Sequence, residues 1–222
     1  LKAVAEAQRH GCSPRDYHHQ RGDLLFLAGR FAEALGELEA GLKADANDWD
    51  LKIDRELALA CLGHHGPMME ALPAALIRAQ IPAGKENNSF EYMLNAALQS
   101  LRRGETQIAI GLFSAGMGIS AWHELKFFGQ LTGNFLRQVL DVRPQVFIQL
   151  VDVMAKNVSN ENIRQLLDPF LKAAEFIQKK NVGLLERLFP EIRELVLDIV
   201  RRVDSELYAS VTKRGLQSEN EK

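Results

Sequence analysis

Apolar residues recur along this chain at the spacing of a helix, and turns carrying glycine or proline interrupt them. Ser13-Pro14 is a helix start, with proline at a favourable early position. The stretch over 15–28 then sets Leu24, Leu25, Leu27 and Ala28 in a helical rather than an alternating pattern. Gly29 ends it. Phe31, Ala34, Leu35, Leu38 and Leu42 fall at i, i+3, i+4, i+7 and i+11, the apolar stripe of a return helix. Residues 44–48 make a turn in which Asn47 or Asp48 caps a helix over 49–62. Gly63 to Pro67 turn the chain again, and 68–79 form the partner helix, kinked or delayed by Pro73. After a loop over 81–85, a third hairpin pairs a helix over 90–103, capped by Ser89, with one over 105–117 about Gly104.

Beyond Gly118 the apolar stripes lengthen. A helix over 120–142 carries Trp122, Leu125, Phe128, Leu131, Phe135, Leu136, Val139 and Leu140 and breaks at Arg143-Pro144. Another covers 145–156. Ser159 to Asn162 is a capping signal ahead of Ile163, Leu166, Leu167, Phe170, Leu171, Ala174 and Ile177. A last stripe covers 181–203, with Pro190 as a point of division, and the polar end over 211–222 is expected to fray.

The three turn glycines occupy corresponding places. Gly29 and Gly63 are 34 residues apart, and Gly104 is 41 further on, which is the same period with a seven-residue insertion. A helix–turn–helix unit of this length cannot bury its apolar face alone and stacks on its neighbours. The segment Gly29-Arg30-Phe31-Ala32-Glu33-Ala34-Leu35 resembles the turn of the tetratricopeptide repeat family, with glycine at the turn, an aromatic two residues on and alanine five on. Gly22, Leu38 and Gly41 take the family's other small and large positions. In the third unit Ala97, Gly104, Ala109, Phe113 and Gly116 match. The second keeps Gly63, Leu72 and Ala75, with Met68 in place of alanine. The sequence departs from the pattern at Ala46, where a proline ends a repeat, and at His65 and Thr106, where an aromatic is usual.

This resemblance, over about residues 15–123, implies an all-α fold: a right-handed α-solenoid of helix–turn–helix repeats followed by a C-terminal helical bundle or degenerate repeats. The expected domains are a repeat array over 1–123, a helical region over 124–210 packed on it, and a frayed tail over 211–222. In this family the first helix of each repeat lines a concave groove. The resemblance therefore implies a groove lined by Asp16, His19, Asp23 and Phe26, then Asp50, Ile53, Asp54 and Leu57, then Glu91, Leu94, Asn95 and Leu98. Such a surface is acidic with an apolar floor and suits a basic or amphipathic segment of a partner protein. The plainer alternative is that these acids are ordinary first-turn residues of solvated helices. Members that hold a terminal carboxylate use Lys and Asn where this chain has His19, Asp23 and Asp54, and these acids exclude that ligand.

Composition agrees with an all-α chain: helix formers dominate, against three Thr and three Tyr. A net charge of −2 gives no bulk attraction to nucleic acid or anionic membrane. No run of about 18 apolar residues predicts a membrane span. Cys12 and Cys61 are isolated thiols that fit a reducing, cytoplasmic setting, the alternative being a pair with each other. The chain opens at Leu1 within a helical stretch over 1–10, as expected of a piece of a longer protein.

Candidate chemistry is sparse. In His18-His19 and His64-His65, neighbours on a helix point about 100° apart, so neither pair chelates as a unit, and zinc would need Asp or Cys converging from neighbouring turns. No phosphate loop or dinucleotide fingerprint occurs. Arg102-Arg103 and Arg201-Arg202 read as solvated charges, and Trp122, Phe127, Phe128 and Phe135 as core aromatics. The expectation is thus a non-enzymatic interaction scaffold with no catalytic residue, metal or cofactor, a protein or peptide partner, no nucleic acid, no membrane, and self-association left open. The alternatives are a sensor or oligomerisation segment of a larger regulatory ATPase or signalling protein, and a helical enzyme with its site between array and C-terminal helices.

Overall fold

The computed structural model describes residues 11–63, 86–118 and 127–220. Every regular element among them is helical: eleven α-helices and one 3-10 turn. The chain forms two compact units, Leu1–Leu125 and Lys126–Lys222.

The first unit contains α1 (Pro14–Leu27), α2 (Phe31–Ala44), α3 (Trp49–Cys61), α4 (Glu86–Arg103) and α5 (Thr106–Gly118). Local chemistry sets their ends. Ser13 Oγ accepts from the Asp16 amide at 3.0 Å, and Asp48 Oδ1 accepts from the Leu51 amide at 2.9 Å, each satisfying an amide that the helix leaves unpaired. Gly29, Gly63 and Gly104 have φ of +78°, +78° and +86°, where a side chain is disfavoured. At Gly29 and Gly104 the following amide, of Arg30 or Glu105, turns back to the carbonyl of Leu25 or Ser100 and closes the helix end.

Helix α1 packs on α2, α2 on α3 and α4 on α5, and α1 also touches α3 and α4. Close approach of α1 and α2 needs Gly22, because a Cβ there would stand 2.7 Å from Leu38 Cδ2. Leu25, Phe26, Phe31, Leu38, Leu51, Leu57, Phe90 and Phe113 form the core. Helix α4 begins a turn earlier than the sequence predicts. Ser89 lies inside it, 6% exposed, and is not its cap, because the buried face through Phe90 carries the helix back to Glu86, a good helix former. Arg103, expected on a solvated face, is half-buried instead. Its guanidinium donates to Leu27 O and to Glu105 Oε2 (3.0 and 2.7 Å) and lies 5.8 Å from the Phe31 ring centroid, tying the end of α4 to α1.

The second unit contains α6 (Phe128–Val142), a 3-10 turn (Pro144–Val146), α7 (Phe147–Asn157), α8 (Glu161–Lys179), α9 (Val182–Glu186), α10 (Pro190–Val203) and α11 (Ser205–Asn220). Helix α8 packs against α6, α7 and α10, and α11 lies on α10. Asn160 caps α8, its Oδ1 accepting from the Asn162 amide at 3.0 Å. Of the long helix expected over 120–142, residues 120–126 lie outside the described residues, Phe127 is non-helical (φ −110°, ψ 8°), and α6 runs from Phe128. Phe128 and Phe135 are buried as expected of core aromatics, while Phe127 is 45% exposed. Pro190 does divide the last stripe, taking the first position of α10, where a missing amide costs nothing. The end expected to fray from 211 is helical through Asn220.

The expected helices over 1–10 and 68–79, the kink at Pro73, the loop at 81–85, His64, His65 and Trp122 lie outside the described residues. No described helix is long and apolar enough to cross a membrane. Cys12 and Cys61 are both free thiols, which removes the alternative of a pair.

Candidate functional site

The periodicity of α1 puts His19 and Asp23 one turn apart on a single face. Opposite them, α3 presents Trp49, Asp50, Ile53 and Asp54, and α4 adds Ser89 and Tyr92. These eight residues line a cleft of about 170 Å³.

The floor is a charged cluster. His19 Nε2 stands 3.0 Å from Asp54 Oδ2 and 3.6 Å from Asp23 Oδ2. Asp54 is 6% exposed. The Tyr92 hydroxyl donates to Asp23 Oδ1 at 3.3 Å. Burial pushes the Asp23 carboxyl up to about 8, helped by the neighbouring charge of Asp54. Burial likewise raises Asp54 to about 7, with Asp50 and Asp48 adding to the rise and Arg15 opposing it. Two acids sharing one poorly hydrated space resist ionising together. Burial and the two acids hold the Tyr92 hydroxyl well above its usual range, so it stays a donor.

At the mouth, Arg15 gathers the acids of two helix starts. It donates to Asp48 Oδ2 at 2.6 Å and to Asp16 Oδ1 at 2.8 Å, and lies 3.6 Å from Asp50. His18 points away from the cleft, its Nδ1 2.9 Å from Glu37 Oε2. Adjacent histidines on α1 thus face different ways, as helical geometry requires.

The proposed groove residues separate into three groups. His19, Asp23, Asp50 and Asp54 come together in the cleft. Asp16 is held at its mouth by Arg15, and Glu91 and Asn95 are exposed on α4. Phe26 offers no surface: it is 1% exposed, packed against the rings of Phe31 (5.2 Å between centroids) and Tyr92 (5.9 Å). Leu57, Leu94 and Leu98 are buried too, so most of the apolar floor expected of the groove is core, and of these residues Ile53, itself 3% exposed, lines the cleft. His19, Asp23 and Asp54 each bring a ligand atom within 4.8 Å of the others, a convergence of imidazole and carboxylates that the sequence alone does not foretell. Sequence reading missed Trp49, Ser89 and Tyr92 as cleft residues. The pairing of His19 with Asp23 at i, i+4 was the available signal for the floor.

Compared with known proteins, the chain has no significant match to a protein-family model, a curated protein or a solved structure.

Proposed function

We propose that this chain is a helical interaction module, built of tetratricopeptide-like hairpins in a right-handed solenoid, that grips a basic or amphipathic segment of a partner protein without making or breaking bonds. One observation supports this reading: α1, α3 and α4, the helices expected to open successive hairpins, meet around an acid-lined cleft. Carboxylates there steer a cationic side chain inward, and the Trp49 ring adds a face on which it can rest. Exposed Glu91 extends the acidic surface along α4. The free thiols fit a reducing, cytoplasmic setting.

The test is binding of a labelled basic amphipathic peptide and its acidic counterpart, read by fluorescence anisotropy. Asp50→Lys with Glu91→Lys is the informative variant, since lysine at buried Asp54 would confound folding with binding. Binding of the basic peptide, weakened by salt and lost in the variant, is expected. Equal binding of both peptides, or no effect of the variant, counts against the reading.

The same cleft favours a helical enzyme as the second reading. Carboxyl groups raised toward neutrality beside an imidazole suit general acid–base chemistry. Turnover of a hydrolysable ester or phosphate substrate that His19→Ala abolishes would favour it over the first.

A further inference from the structure

We propose that His19, Asp23 and Asp54 are the ligands of a first-row divalent metal ion, with zinc as the type, held at the floor of the cleft. This goes beyond the interaction reading and does not depend on it. The geometry carries it. Four ligands on bonds of about 2.1 Å to a tetrahedral ion lie about 3.4 Å apart. His19 Nε2 is 3.0 Å from one carboxylate oxygen and 3.6 Å from the other, so the two separations bracket the edge of such a shell. All three ligand atoms lie within 4.8 Å of one another, close enough for side-chain adjustment to gather them around one ion.

The donor set points the same way. One imidazole nitrogen with carboxylate oxygens suits zinc and its neighbours in the first transition row, whereas calcium and magnesium take oxygen alone. Charge adds a second argument. Ionised Asp23 and Asp54 would put two negative charges side by side, one of them 6% exposed. Among the described residues no lysine or arginine pairs with either, and Arg15 is engaged with Asp16, Asp48 and Asp50. On binding, a divalent ion displaces the protons that the two carboxyls otherwise hold and balances the charge they then carry. The surroundings also position a ligand: Tyr92 holds Asp23 Oδ1 at 3.3 Å, leaving Oδ2 toward the imidazole, the arrangement by which outer groups orient metal ligands. Three protein ligands leave a fourth position open into the cleft for water or a donor group of a bound partner. With the ion in place the floor is neutral, and the acidity that a basic segment meets is that of the mouth.

The test uses the full chain, stripped with chelator and dialysed, then titrated with Zn²⁺ by calorimetry and with Co²⁺ by visible absorption. The expected result is a single ion per chain and the intense visible bands of low-coordinate Co²⁺. Zinc affinity should fall more than about 100-fold in His19→Ala and in Asp54→Asn, and about tenfold in Tyr92→Phe, which loses only an outer contact. His18→Ala, whose ring faces Glu37, should bind as wild type does. Circular dichroism establishes that the near-isosteric Asp54→Asn has folded, and if it has not, His19→Ala decides. A wild type that takes up no ion, a folded ligand variant that binds zinc as tightly as wild type, or an equal loss in His18→Ala overturns the proposal.

Discussion

His19 and Asp54 are 35 positions apart in the chain, yet the imidazole Nε2 stands 3.0 Å from the carboxylate Oδ2 where α1 faces α3. Small residues make the meeting possible. Gly22 admits Leu38 between α1 and α2. Gly41 seats α3, since a Cβ there would lie 3.0 Å from Leu51 Cδ1. The tyrosine that completes the floor comes from α4, which Arg103 ties to the end of α1.

Stability of the metal-free protein should fall as pH rises through neutrality. The folded protein raises the Asp23 and Asp54 carboxyls to about 8 and about 7 from 3.8, so it holds protons that the unfolded chain has released. Their contribution is fully present below the unfolded value and is lost as pH climbs through the folded ones. In chelator, the thermal midpoint of wild type should drop by several degrees between mildly acidic and mildly basic pH. The Asp23→Asn, Asp54→Asn double variant should show a much smaller drop, and parallel curves for the two proteins would contradict the raised carboxyls.

Two glycines should respond in opposite directions. Gly22→Val drives new atoms into Leu38, where even a Cβ would come within 2.7 Å, and should cost about 1–3 kcal/mol in urea unfolding. Gly36 lies in α2, and a Cβ added there would meet nothing within 4 Å, so Gly36→Ala should be neutral or gain up to about 1 kcal/mol. Similar effects from both would mean that α1 and α2 are not in close contact at Gly22.

Phe26→Ala should act on folding rather than on a binding surface. Removing a ring that is 1% exposed should cost about 3–5 kcal/mol, with peptide or metal affinity of the folded fraction close to wild type. A variant of normal stability with lost affinity would return Phe26 to the groove.

Cys61 should be a slow thiol. Burial pushes it up to about 12, leaving little thiolate at neutral pH. Native protein should react with a disulfide reagent at this position far more slowly than urea-unfolded protein does, and comparable rates would contradict the packing of α3.

Much of the helix punctuation was legible because it is local. Ser13, Asp48 and Asn160 cap the helices that follow them, Gly29, Gly63 and Gly104 take the left-handed turn, and Pro190 divides the last stripe. The reading went astray at Ser89, drawn into the helix beside buried Phe90, and at Phe127, whose backbone leaves the helical region in a stripe that reads as continuous. The floor of the cleft was only half legible. His19 and Asp23 share a face by helical spacing alone, but Asp54 joins them through the way α3 meets α1. The burial of Phe26 follows from α4 lying on the lower part of that same face, which brings Tyr92 beside it. Hairpin periodicity sets which residues share a helix face, and it does not say which other helix covers that face.

The convergence at the floor is open to a thermodynamic test that needs no ligand. Urea unfolding of His19→Ala, Asp54→Asn and the double variant, in chelator at neutral pH, yields the coupling free energy between the two side chains. A coupling of about 1 kcal/mol or more is expected for a part-buried hydrogen bond between a ring nitrogen and a carboxylate. Additive effects, to within about 0.3–0.5 kcal/mol, would mean that α1 and α3 do not bring these residues together.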